Sequence, residues 1–289
     1  MKRGRKGQVT VFIVIALIIV GGITGYFVIK NISQGPAFEE LGFNEKVGVV
    51  KEAVDTCFEL VYKDSLDFVG AQGGYYQEPF GFYMTEDGLY LPIYSLNGEN
   101  ITIPSKEFIE EEISLAVDES LETCLYVIEN QYSIINIDYE EYITEVNIFE
   151  SSVKFDTPIS ITLSAKEGEG TAQIETDRKE IKSDLDNMIK VADYYISSQI
   201  IDKDLICIDC ITEMAETYDL TIEVLNYIED AIIVSIYSNN EGNYPASYNF
   251  LEVYNRETTD FTAPTFSGTP LADDEELSDD ELNIPAPTI

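Results

Sequence analysis

Residues 9 to 29, VTVFIVIALIIVGGITGYFVI, form one unbroken apolar run behind the basic cluster Lys2, Arg3, Arg5 and Lys6, and no second run of that kind follows. At about 1.5 Å rise per residue, a helix over this stretch matches the roughly 30 Å hydrocarbon core of a bilayer. The basic flank is expected to stay cytoplasmic. The chain therefore reads as a cytoplasmic basic segment (1–7), one transmembrane helix (8–30) and an exterior body (31–289) in the cell membrane.

A secretory signal would have a shorter apolar core and a small-x-small cleavage site. This run ends at Tyr26-Phe27-Val28-Ile29-Lys30 without one, so a retained anchor is expected. The stretch Arg5-Lys6-Gly7-Gln8 resembles the class III signal of archaeal type IV pilins, which implies processing between Gly7 and Gln8. The fifth position after that cut is Phe12, where bacterial pilins carry glutamate. Gly21 and Gly25 have the small-residue spacing that lets membrane helices approach one another.

All 54 acidic residues lie beyond Lys30, together with 12 of the 17 basic ones, so residues 31–289 carry a net −42. Such a field repels nucleic acid and anionic headgroups, which excludes nucleic-acid binding. It suits a salty milieu, with weak cation binding left open as an alternative. The runs Glu110-Glu111-Glu112, Glu140-Glu141 and Asp273-Asp274-Glu275-Glu276 lack the spacing of an EF-hand loop and read as solvated faces. With 45% hydrophobic residues the body can still bury a core.

Four cysteines, Cys57, Cys124, Cys207 and Cys210, fall on the exterior side, where disulfides persist. Cys57 and Cys124 each sit in a segment with apolar residues at helical spacing, and a bridge pinning two helices is expected. Cys207-Ile-Asp-Cys210 admits a local disulfide, a redox pair or half a zinc site. Asp202, Asp204, Asp209 and Glu213 surround it and disfavour a thiolate, and the chain has no histidine to complete a zinc site. The local disulfide is the favoured reading, and no metal or other cofactor is expected.

Along the body, 31–43 reads as a juxtamembrane linker broken by Gly35-Pro36. Val47, Val50, Val54, Phe58, Val61 and Leu66 predict a helix over 44–69, capped by Asn44 and stopped at Gly70. Gly70 to Tyr76 is glycine-rich and reads as a chain reversal. Phe80–Met84 and Leu89–Tyr94 predict a small hairpin region, and Asn100-Ile-Thr102 is a glycosylation sequon. Asn31-Ile-Ser33 is a second one, close to the bilayer.

Ser105 caps a predicted helix over 106–131, with Phe108, Ile109, Ile113, Val117, Leu121, Cys124 and Val127 on its inner face. From residue 134 the apolar period shortens to two, marking antiparallel strands through Leu163. A third helix is predicted from Arg178 to Ile200 and a short fourth one around the C-x-x-C. Strands at 220–226, 231–237 and 248–254 close the body, with a turn at Glu229-Asp230. The class is α+β, amphipathic helices packed on an antiparallel sheet, divided into a helical part with a hairpin (44–131) and a sheet-rich part (132–256). Residues 257–289 read as an acidic disordered tail.

Lys6-Gly7-Gln8-Val9-Thr10-Val11-Phe12, together with Cys57, the loop Gln72-Gly73-Gly74-Tyr75 and Cys124, resembles a group of single-pass surface proteins of small-genome (DPANN) archaea. The resemblance spans residues 1 to about 255 and implies an archaeal exterior protein with one anchor. It supplies no activity and no site residue. The expected function is a structural or interaction role at the cell surface, in adhesion or envelope assembly, with protein partners or self-association. A pilin-like filament subunit is the alternative. No His, G-x-S-x-G or H-E-x-x-H pattern is present, so no catalytic residue is assigned and an enzyme is not expected.

Overall fold

The computed structural model describes residues 38–253, apart from residue 39 and the stretches 86–87, 102, 133–134, 167–169, 177, 202–207 and 229–230. The anchor and its residues Gly7, Gln8, Gly21 and Gly25, the Asn31 sequon, Cys207, the Glu229-Asp230 turn and the acidic tail lie outside the described residues. No helix among the described residues is long and apolar enough to cross a membrane.

Helix α1 (Phe43–Ala71) buries the stripe Val50, Val54, Phe58, Val61, Leu66 and Val69. Its N-cap is Gly42 rather than Asn44, because the Glu45 carboxylate three positions on accepts a hydrogen bond from the Gly42 N–H (3.1 Å). It runs one residue past Gly70 and turns back through Gly73 and Gly74, both at positive φ. The turn has no room to spare: a Cβ at Gly74 would sit 2.8 Å from Ile109 and 3.0 Å from the Tyr248 hydroxyl. The glycines thus serve close packing and chain reversal.

Strands β1 (Phe82–Met84), β2 (Tyr90–Leu96) and β3 (Glu99–Asn100) follow. Asn97 and Gly98, both at positive φ, make the β2–β3 turn. Helix α2 (Lys106–Gln131) begins at Ser105, whose hydroxyl accepts from the Phe108 N–H (3.2 Å). It buries Ile109, Ile113, Val117, Leu121 and Cys124 as expected, with Ala116, Leu125 and Ile128 in addition. Phe108 and Val127 lie at the edge of that stripe and are exposed.

Strands β4 (Ile135–Tyr139), β5 (Glu145–Phe149), β6 (Ser152–Asp156), β7 (Ser160–Ala165), β8 (Thr171–Glu175) and β9 (Lys179–Lys182) form two small antiparallel sheets, β4-β7-β8 and β5-β6-β9. The predicted helix start at Arg178 is corrected here. Lys179 to Lys182 pair with β6, which puts the buried Ile181 opposite Val153. Helix α3 (Leu185–Ile201) starts only after Ser183, whose hydroxyl accepts from the Leu185 N–H (3.1 Å). Helix α4 (Ile208–Thr217) is short, and β10 (Leu220–Ile228), β11 (Ala231–Ser238) and β12 (Ser247–Val253) complete the order.

The largest sheet runs β1-β2-β12-β11-β10, with β3 beside β2. Its pairings are antiparallel except one: β12 lies parallel to β2, pairing Leu251 with Ile93. That contact joins the helical and sheet-rich parts of the body, and the class is α+β. Helix α1 packs on α2 and β12, α2 on β4 and β5, and α3 on β11. The main core lies between helices and sheets, while Leu91, Ile93 and Leu251 form a small separate cluster with Ile233 and Val253 packed against it.

Several acids are buried in this arrangement, among them one held by a tyrosine. Glu252 on β12 is buried and its carboxylate accepts from the Tyr195 hydroxyl of α3 (2.7 Å). Burial raises its pKa above the ordinary 4.5, and the Tyr195 hydrogen bond offsets only part of that rise. Because the folded-state value is the higher one, stability is fully present below the unfolded value and is lost as pH rises through the folded one. Glu252→Gln, which keeps an acceptor for Tyr195, is expected to raise the melting temperature at pH 7 and leave it unchanged at pH 3.5. Equal shifts at both pH values in thermal melts would contradict this.

Candidate functional site

Four carboxylates of α2 each reach a neighbouring segment. Glu110 accepts from the Ile148 N–H at the edge of β5 (2.7 Å). Glu112, buried, accepts from the N–H groups of Tyr76 (2.6 Å) and Gln77 (2.7 Å). Asp118 accepts from the N–H and the hydroxyl of Thr144, and Glu119 from the Tyr76 hydroxyl (2.5 Å). Charge-assisted bonds of this kind satisfy backbone donors that sheet pairing does not use. The Glu110-Glu111-Glu112 run is therefore not wholly a solvated face, since two of its three members hold the chain together.

Behind Asp118 runs a line of hydroxyls. Thr144 donates to Asp118 Oδ1 (2.6 Å), the Thr144 and Thr157 hydroxyls are 2.9 Å apart, and Tyr62 donates to Thr157 (3.0 Å). Each hydroxyl has one proton, so Tyr62 gives to Thr157, Thr157 to Thr144 and Thr144 to the carboxylate. Tyr62 is fully buried and stacked on Phe155, with ring centroids 4.4 Å apart, so the line is anchored in the core. Burial pushes the Tyr62 phenol up to about 12 and keeps it a donor.

Asp118 and Glu119 open onto a cleft of about 850 Å³ between α2 and the 139–143 segment. Its carboxylates are Asp118, Glu119, Glu122 and Glu141, its rings Tyr76, Tyr139 and Tyr142, and its apolar surface Leu115, Ile143 and Pro158. Burial raises the Asp118 carboxyl against the opposing hydrogen bonds of Thr144, and the Glu122 charge adds to the rise. Burial, then the Glu119 hydrogen bond and charge, push Tyr76 up to about 12. Tyr142, half-buried beside Asp118 and Tyr139, is raised as well, first by burial. Among the described residues no Lys or Arg lines the cleft, and none of their acidic groups is arranged to hold a metal ion.

The residues expected to matter from the sequence fall elsewhere. Cys57 on α1 and Cys124 on α2 are bonded, with Cα atoms 6.4 Å apart, and pin the two helices. Cys207 and the side chain of Cys210 lie outside the described residues, so the three readings of that pair stay open. Asn100 is exposed and pairs with Ser95 at the end of β3. Thr102 of its sequon lies outside the described residues. Neither Asn100 nor the cysteine pair lines the cleft; of the residues that do, the sequence reading places Tyr76 at the end of the glycine-rich reversal, Tyr139 in a strand, Glu141 in an acidic run and Pro158 at a bend, and gives none of them a binding role. The one cue to the cleft is the close spacing of Tyr139 and Tyr142 around Glu140-Glu141.

Compared with protein-family models, with curated proteins and with solved structures, the chain shows no match.

Proposed function

We propose that this is a single-pass membrane protein of an archaeal envelope that presents an acidic, disulfide-pinned α+β domain outside the cell. There it works by binding other proteins in surface assembly or adhesion, without catalysis. The observation that carries this reading is the Cys57–Cys124 bond inside the folded body. Such bonds persist in oxidising surroundings, which agrees with the side of the membrane given by the basic flank of residues 9–29. The acid-rich cleft supports a binding role: two of its four carboxylates, Asp118 and Glu119, position neighbouring chain, and the chain has no histidine to serve as a general base beside them.

Labelling intact cells with a membrane-impermeant amine reagent tests the placement. Modified lysines between residues 46 and 190 are expected, with Cys57 and Cys124 resistant to alkylation until reductant is added. A body shielded from the reagent, with thiols that alkylate at once, overturns it. The resemblance at Arg5-Lys6-Gly7-Gln8 favours a second reading, a pilin-like filament subunit. Native protein whose first residue is Gln8 supports that reading, and an intact basic segment counts against it.

A further inference from the structure

We propose that the cleft between α2 and the 139–143 segment is the docking site for a basic segment of a partner protein, one that alternates aliphatic side chains with lysine or arginine. This names the partner chemistry of the binding role above and rests on that reading.

The groove is first an apolar surface the fold does not use. Leu115 is 43% exposed, Tyr139 40% and Ile143 72%, and all three line one concavity together with Pro158. Aliphatic side chains laid there would remove this surface from water, the main favourable contribution to most protein associations. Charge then selects the occupant. The rim holds Asp118, Glu119, Glu122 and Glu141, with no cation among the described lining residues.

This is not a uniform property of the surface. The concavity on the β5-β6-β9 sheet sets Lys154, Arg178 and Lys179 among Glu145, Asp156 and Glu180, with Arg178 paired to Asp156 (2.6 Å). At the cleft the described residues supply no matching cations, and tyrosine rings stand beside the carboxylates. Ring faces and carboxylates together are the surroundings that hold ammonium and guanidinium groups. A second copy of this chain suits the groove poorly, since residues 31–289 repel themselves with a net −42. The site is also held in shape beforehand. Asp118 is fixed by Thr144 and Glu119 by Tyr76, which lowers the ordering cost of binding.

The test uses the full chain in a non-ionic detergent at physiological salt and a fluorescent, end-blocked peptide of sequence Leu-Lys-Leu-Arg-Leu-Lys. Saturable binding is expected. It should weaken at least tenfold in Glu119→Gln/Glu122→Gln/Glu141→Gln and several-fold in Leu115→Ser/Ile143→Ser. It should be unchanged in Glu52→Gln/Glu213→Gln/Glu216→Gln, which removes the same charge from exposed sites on α1 and α4. All substituted positions are exposed, and an unchanged melting temperature confirms that each variant is folded.

Absence of binding, or equal loss in the cleft and control variants, overturns the proposal, the latter by leaving only a diffuse field. Spermidine that competes at equal concentration overturns it in favour of a small free cation. A sedimentation change in Leu115→Ser/Ile143→Ser without a change in peptide affinity overturns it in favour of self-association. Because the peptide is added to purified protein, failure here leaves the cell-surface labelling result standing, and failure of the labelling leaves the peptide result standing.

Discussion

Replacing Cys57 and Cys124 together by serine is expected to lower the unfolding free energy by about 2–4 kcal/mol. The bond closes a loop of 67 residues between the middle of α1 and the last third of α2. For a loop of that length the chain-entropy account gives about 4 kcal/mol as its upper figure, and residual structure in the unfolded chain reduces it. The native state of the serine variant should persist. Phe58 of α1 and Leu121 and Leu125 of α2 are buried in the same core and do not need the bond to pack. In urea titrations the midpoint of the wild type should fall on adding reductant to about that of the double variant, which reductant should not move. A wild-type midpoint indifferent to reductant would remove the support the bond gives to an oxidising location.

That pairing is legible in the sequence itself, because both cysteines lie on helices whose apolar spacing is strong over more than 20 residues. Local chemistry also places Ser105 at a helix start and Asn97-Gly98 at a turn. The local pattern misleads where short segments carry few apolar residues. Thr171 to Glu175 buries only Ile174, which is too little pattern to read as a strand. Lys179-Glu180-Ile181-Lys182 has one apolar residue, and its spacing of four to Leu185 imitates a helix. What makes it a strand is β6, a partner that a local pattern does not reveal.

The cleft is harder to read for the same reason. Its working parts come from α2, from Tyr76 in the turn after α1 and from the 139–143 segment, and no spacing within any one of them signals their meeting. In sequence, Asp118 and Glu119 look like any other exposed acids of an acidic helix. What distinguishes them is Thr144 and Tyr76, brought to them from 26 and 43 positions away. In a chain with 54 acidic residues, the ones with structural duties are found by their donors rather than by their own surroundings in sequence.

Phe250→Ala is expected to have the largest effect of any single core truncation, about 3–5 kcal/mol. Phe250 is fully buried on β12, stacked on Tyr94 of β2 at 4.5 Å and edge-on to Tyr195 of α3 at 5.8 Å. The cavity would therefore open where three distant stretches of chain meet. Collapse to fill it is restrained, because Tyr94 donates to the Gly73 carbonyl (2.6 Å) and its hydroxyl lies 2.5 Å from that of Tyr248. Moving Tyr94 inward would break both bonds and leave buried polar groups unsatisfied. Phe250→Leu, which keeps most of the volume, should cost less than half as much. The parallel β2–β12 pairing and one continuous core join the two parts of the described body, so both variants are expected to keep a single unfolding transition by far-ultraviolet circular dichroism and tyrosine fluorescence alike. If Phe250→Ala instead splits the transition, with helical signal outlasting tyrosine signal, then α1 and α2 form a unit that holds without β12, and the β2–β12 pairing is not what joins the two parts.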